Sequence, residues 1–105
     1  MTFFKSLSSF ALGAALLSST AFAGEIVLNS DHSDPAPKKA MEELIADFQK
    51  AHPDITVKWN NFDHEGYKSA IRNFLTADAP DVAAWYAGNR MEPFVKAGLF
   101  EDVSD

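Results

Sequence analysis

The chain has 105 residues, no cysteine, and 15 acidic against 9 basic residues, for a formal net charge of −6. That balance excludes the basic stripe of a nucleic-acid binder, so no nucleic-acid partner is expected. Without cysteine, an exported form has to be held by its core and not by disulfides.

The first residues read as a secretory signal peptide. Lys5 supplies a basic start, Phe10 to Leu17 ("FALGAALL") an apolar core, and Ala21 to Ala23 ("AFA") a small-x-small cleavage site before Gly24. A membrane anchor is the alternative, but the apolar run is short of the ~20 residues a span needs. The expected organisation is a signal peptide over 1–23, cleaved after Ala23, and a mature periplasmic chain over 24–105, small for a stable domain.

Glu25 to Ser30 ("EIVLNS") predicts a first strand. "DHSDPAP" is turn chemistry with helix-start signals, Asp34 as cap and prolines at the first turn. Met41, Leu44, Ile45 and Phe48 recur at i, i+3, i+4, i+7 and predict one inward helix face. His52-Pro53 stops that helix, because a residue before proline is pushed out of the α region. Ile55, Val57 and Trp59 alternate with polar residues as a half-buried second strand. "NNFDHEG" is expected to be a loop. Tyr67, Ala70, Ile71, Phe74 and Leu75 mark a second helical face. After Ala79-Pro80-Asp81, "DVAAWY" reads as a third strand, apolar on both faces and therefore internal. Asn89 is expected to cap a third helix, with Glu92 completing a capping box. Met91, Phe94 and Val95 are predicted to face inward, and Gly98 to end that helix.

This alternation predicts an α/β fold, a three-stranded parallel βαβαβα unit. With right-handed crossovers and strand order 2-1-3, the first two helices lie on opposite faces. The switch point between strands one and three is then a ligand crevice at the carboxyl ends of the strands. Asn29 to Asp34 and Trp85 to Asn89 border it. Aromatic rings stack on the C–H face of a sugar, and carboxylates and amides bond its hydroxyls. Trp85 and Tyr86 with Asn89, Asn29, Asp31 and Asp63 are residues of those types. The competing reading puts Trp85 in the core and Tyr86 as a strand-end cap. The pairs Asp31-His32 and Asp63-His64 are residue types that bind zinc, but they are also ordinary turn chemistry. Neither has tight ligand spacing, so no metal and no cofactor is expected. No G-x-S-x-G, P-loop or G-x-G-x-x-G occurs, and no serine, threonine or carboxylate sits in a recognisable base-paired context. The chain is not expected to be an enzyme.

"ELIADFQKAHPDITVKW" followed by "DHEGYKSAIRNFLTADAPDVAAWYAGNRMEPFVKAGLFEDVSD" resembles the bacterial extracellular solute-binding proteins of family 1. These are sugar-binding components of ABC importers, the maltose-binding type among them. The resemblance rests on F-x-x-x-H-P at a helix end, a Y-K-x-x-(I/L)-R helix, A-P-D-V with an aromatic end, and an F-V-x-A-G-L turn. It implies a periplasmic-binding-protein type II-like fold of two lobes, of which this chain is a truncated N-terminal part. It also implies a mono- or oligosaccharide ligand and membrane permease subunits as partners of the whole protein. By motif, the sugar-stacking aromatic falls on Trp85, the polar residue before the family arginine on Asn89, and that arginine on Arg90. Asp63 and His64 fall on a loop near ligand. The end of strand one reads "NSDHSD", without the tryptophan many sugar binders carry. The alternatives are a binder of another solute, such as a polyamine or a metal ion, on the same fold, or a small secreted flavodoxin-like enzyme. The chain alone is expected to bind weakly, because the outer edge of "DVAAWY" lacks a partner.

Overall fold

A computed structural model describes residues 24–105 of the chain, so the signal-peptide reading lies outside the described residues. The elements run β1 (Gly24–Ser30), α1 (Pro35–Ala51), β2 (Ile55–Asn61), α2 (His64–Ala77), β3 (Val82–Ala83), a single 3₁₀ turn (Gly88–Arg90) and the short α3 (Glu92–Lys96). The three strands are parallel in the order β2-β1-β3. This is the predicted α/β arrangement, and it brings the carboxyl ends of β1 and β3 side by side. Among the described residues no helix is long and apolar enough to cross a membrane.

The pairing of β1 with β2 is complete, from Gly24 opposite Ile55 to Ser30 opposite Asn61. Side chains alternate between faces along each strand. Ile26, Leu28 and Val57 therefore turn to the α1 face, while Val27 and Asn29 turn to the other. Two side chains finish the strand edges. Gln49 near the end of α1 accepts the Val57 N–H (2.8 Å), occupying a donor on β2. Asp81 exchanges bonds with β1 just before β3 begins: its N–H donates to Val27 O (2.9 Å), and its carboxylate accepts the Val27 N–H (2.8 Å). The aspartate of the A-P-D-V motif thus sets the register of β3.

The core lies between the sheet and α2–α3. Tyr67, Ile71 and Leu75 of α2 and Phe94 of α3 are buried, with Phe62, Phe74, Ala83, Trp85, Leu99 and Phe100 packed around them. Tyr67 is 0 % exposed. Its hydroxyl donates to the Asn29 carbonyl (3.2 Å), and its ring neighbours those of Phe62, Phe74 and Trp85 at centroid separations of 5.7–6.0 Å. Asp63 caps α2 by accepting the Gly66 N–H (2.9 Å). At the other end of the core, Gly98 (φ +75°) closes α3. Gly98 N–H donates to Val95 O and Leu99 N–H to Phe94 O, the paired bonds of a Schellman stop.

Several expectations are corrected. "NNFDHEG" is not a loop: Asn60 and Asn61 extend β2, and His64 to Gly66 form the first turn of α2, because Asp63 caps it. The strand in "DVAAWY" is shorter than expected, although it lies at the sheet edge among the described residues, as the missing outer partner implies. Only Val82 and Ala83 pair, at the sheet edge, and Val82 is 51 % exposed. Asn89 does not cap α3. It sits inside the 3₁₀ turn, Met91 is the capping position, and no capping side-chain bond forms there among the described residues. Of the predicted inward faces, α3 buries Phe94 but leaves Met91 and Val95 exposed. On α1, Met41, Ile45 and Phe48 are half-buried, while Leu44 is 61 % exposed. A narrow sheet accounts for this: α1 covers one face incompletely, leaving an apolar groove between Met41, Leu44, Ile45 and Phe48 and the strand residues Ile26, Leu28, Val57 and Val82.

Four stability outcomes follow from the α2 contacts. Tyr67→Phe keeps the ring but deletes the bond to β1, and should cost about 1 kcal/mol in urea unfolding. Tyr67→Ala should cost about 3–5 kcal/mol. Gly66→Ala would normally stabilise a helix by about 1 kcal/mol. Here the new Cβ would lie 2.7 Å from Asp63 Oδ1, so the cap must swing away. The net gain should vanish, as judged by thermal melts beside Asp63→Ala, which should cost about 1 kcal/mol.

Candidate functional site

The candidate site is built from three chain segments that end at one place. β1 delivers Asn29, Ser30 and Asp31. β2 delivers Asn60 and Asn61 and leads into α2. The segment after β3 delivers Trp85 and Tyr86.

Parallel pairing places Asn29 beside Asn60 and Ser30 beside Asn61. The backbone therefore zips these side chains into a polar layer across the strand ends, Asn29 with Asn60 on one face of the sheet and Ser30 with Asn61 on the other. Asn60 Nδ2 donates to Asn29 Oδ1 (2.9 Å), Ser30 Oγ to Asn61 Oδ1 (3.0 Å), Trp59 Nε1 to Ser30 Oγ (2.8 Å), and Asn61 Nδ2 to His32 O (2.9 Å). Asn29 and Ser30 are buried, with partners that offset the cost of removing them from water. His32 Nδ1 is the exception: a buried polar atom with no partner among the described residues.

Above this layer sits Asp31, also buried. Its Oδ2 accepts from the Tyr86 hydroxyl (3.0 Å) and lies 3.2 Å from His64 Nδ1. The other ring nitrogen of His64, Nε2, lies 3.2 Å from Asp34 Oδ2. Asp34 holds the capping position of α1, yet its carboxylate does not cap that helix. The sequence explains why. An N-cap side chain bonds the N–H of the second or third helical residue, and the third here is Pro37, which has none. Of the two donors only the Ala36 N–H remains, and the Asp34 carboxylate turns to His64 instead.

Behind Tyr86 stands Trp85. Its ring meets Tyr67, Tyr86 and Phe94 edge to face at centroid separations of 6.0, 5.3 and 5.9 Å, and its Nε1 donates to Arg90 O (3.0 Å). The Arg90 guanidinium lies 4.7 Å from the Tyr86 ring centroid, and Lys68 Nζ lies 5.9 Å from it. Trp85 joins core to rim, and Tyr86 stands on the rim itself.

The charges reinforce one another. Burial pushes the Asp31 carboxyl up, but the bonds from His64 and Tyr86 outweigh it and leave the group below its ordinary value. The carboxylates of Asp31 and then Asp34 hold His64 above its ordinary value. The bond to Asp31 raises the Tyr86 hydroxyl, and burial pushes the Tyr67 hydroxyl up to about 12. Both phenols therefore stay protonated as donors. The His64 contribution to stability is complete below its ordinary value of 6.5 and fades as pH rises through the raised value. That of Asp31 is present above 3.8 and fades as pH falls through its lowered value.

Of the residues expected from sequence, Asp31, His64, Tyr86 and Arg90 come together, with Trp85 against them. Asn29 lies beneath, buried and bonded to Asn60. Asp63 is turned to its own helix as a cap. Asn89 is exposed on the 3₁₀ turn. Asp34 and Lys68 were missed as members of the cluster. For Asp34, the signal was the P-x-P that follows it. For Lys68, it was the i, i+4 spacing from His64 on one helix face. Among the described residues no group of three or more His, Asp or Glu side chains is placed to hold a metal. The arrangement presents an anionic acceptor, cationic donors and aromatic surface at an open rim.

The family model described as bacterial extracellular solute-binding protein matches residues 32–105. Among solved structures, the chain is similar to the bacterial solute receptor AcbH, whose structures are described as revealing an exclusive substrate preference for β-D-galactopyranose. The identity is 30% and the TM-score 0.66, over 78% of this chain and 20% of that one. The chain thus spans about a fifth of that receptor's length. No curated protein matches it significantly. On the family match over residues 32–105, the chain belongs to the bacterial extracellular solute-binding proteins.

Proposed function

We propose that this chain forms the N-terminal-lobe side of a carbohydrate site in the periplasmic substrate-binding component of an ABC importer. The observation that carries the reading is Tyr86, an aromatic ring at the strand ends. Its hydroxyl is fixed on Asp31 and Trp85 braces it from the core. A ring held at both ends loses little freedom when a ligand packs on it, which favours binding. Asp31 serves as acceptor for a sugar hydroxyl through its second oxygen, and Arg90 serves as donor. This is recognition chemistry: a neutral polyol needs apolar surface for its C–H face and charged partners for its hydroxyls. The AcbH likeness supports a monosaccharide of the galactose type as the first ligand to test. Delivery to membrane permease subunits belongs to the same proposal, as does the second lobe that would close over the ligand.

The test is isothermal titration of the protein expressed from its full reading frame with D-galactose, other mono- and oligosaccharides, a polyamine and zinc. Saturable sugar binding without a zinc or polyamine response is expected. Heat from the polyamine or from zinc alone would contradict the reading. Tyr86→Ala should weaken sugar binding by about 1–3 kcal/mol while changing the melting temperature little. Trp85→Ala should weaken binding by a similar amount and also lower the melting temperature, because Trp85 packs against the core. Unchanged affinity in Tyr86→Ala would remove that ring from the site.

A further inference from the structure

His64 is placed unlike the other residues of the cluster. It is the first residue of α2, yet its ring reaches back to two carboxylates on the opposite side of the sheet's end, Asp31 after β1 and Asp34 at the start of α1. Each ring nitrogen has one carboxylate oxygen at 3.2 Å. A carboxylate is an acceptor only. Satisfying both at once therefore takes two N–H donors on one imidazole, and only the doubly protonated ring has two.

We propose that His64 is the positioning residue of the crevice: as an imidazolium it clamps the β1–α1 loop to α2 and so fixes Asp31 and Tyr86, and its deprotonation releases that loop and weakens ligand binding. The proposal rests on the sugar-site reading above. The consequence follows from charge and from proton count. A neutral ring donates to one carboxylate and turns a lone pair toward the other. The clamp then loses one of its two bonds, and Asp31 and Asp34 lose the positive charge between them. Asp31 also carries the Tyr86 hydroxyl on the same oxygen, so movement of Asp31 unsettles the ring on the rim.

The other charged groups around the ring act in known directions. Asp63 and Glu65 flank it in sequence and favour the cation. Lys68, one turn along α2, opposes it but is paired with Glu65 (3.1 Å). Tyr86 is neutral, and Arg90 lies over the Tyr86 ring, 4.7 Å from its centroid. The N-terminal end of α2 disfavours a cation, and the two carboxylates outweigh it. His64 is raised by its bonds to Asp31 and Asp34. If ligand binds the clamped form, proton and ligand must favour each other reciprocally.

The experiment has one arm that needs no ligand and one that does. In the first, the ring nitrogens of His64 in the full chain are followed by NMR against pH. The midpoint is expected above the ordinary value of 6.5, with the Asp34 amide and the Tyr86 ring shifting at the same midpoint. Asp34→Asn, at a carboxylate 69 % exposed and away from the core, should lower that midpoint. In the second, D-galactose affinity is measured from about pH 6 to about pH 8. It should fall by about threefold to tenfold in the parent, the tenfold end corresponding to a shift of about one pKa unit, and by much less in His64→Gln. Saturating galactose should raise the His64 midpoint. A His64 midpoint at or below the ordinary value, or one unmoved by Asp34→Asn, would overturn the clamp. So would a pH dependence of affinity that survives in His64→Gln. Absence of galactose binding at every pH would count against the sugar site alone, and the ligand-free arm would still decide the clamp.

Discussion

The structure depends on one contact, the burial of Tyr67 beneath the end of β1. Its ring fills the space between α2 and the sheet, and its hydroxyl reaches the Asn29 carbonyl. That carbonyl also accepts the Ala84 N–H just after β3 (2.9 Å). One backbone oxygen thus joins the end of β1, the first turns of α2 and the segment that carries Trp85. If Tyr67 shifted, the aromatic rim and the acidic loop would no longer share a register.

From that point the site is a relay of contacts that passes from apolar to polar groups. Tyr67 meets Trp85, Trp85 meets Tyr86, Tyr86 bonds Asp31, and Asp31 faces His64, which faces Asp34. The inner half is apolar and packed against the core. The outer half is polar, titratable and partly solvated. Such a gradient suits a receptor: the core fixes where the rim stands, and the rim keeps groups that can exchange water for ligand hydroxyls. The apolar groove under α1 is a different kind of surface. Its lining is aliphatic and aromatic side chains alone, with no polar group to orient a polyol.

Much of this was legible in the sequence, for stated reasons. Periodicity found α1 and α2, because an amphipathic stripe is written directly in residue order. The 2-1-3 strand order is assumed as the arrangement in which right-handed crossovers put the first two helices on opposite faces, and it is the order found. Tyr67, Ile71 and Leu75 were placed on the buried face of α2, and they are its buried residues. The failures share a cause: they turn on which of two partners a polar residue chooses. Asp34 looks like a cap and is a partner of His64; Pro37 removes one of the two donors it would have bonded. Asn60 and Asn61 look like a loop. They are a strand end, because Asn29 and Ser30 stand opposite to receive them. Asn89 looks like a cap, but it lies in a 3₁₀ turn, and α3 begins only after Met91. The exposure of Leu44 was invisible to periodicity, which reports the side of a helix that is apolar but not how much sheet there is to cover it.

The central claim is that the ends of β1 and β3, held together through Tyr67 and Asp31, form the ligand-facing surface. Amide hydrogen exchange of the protein expressed from its full reading frame, with and without saturating D-galactose, addresses it most directly. The account predicts slowed exchange over residues 29–34 and 84–90, with the first turn of α2 following, and no change along α1. Protection confined to α1 around Met41 and Phe48, or galactose binding that leaves both strand ends unprotected, would contradict it.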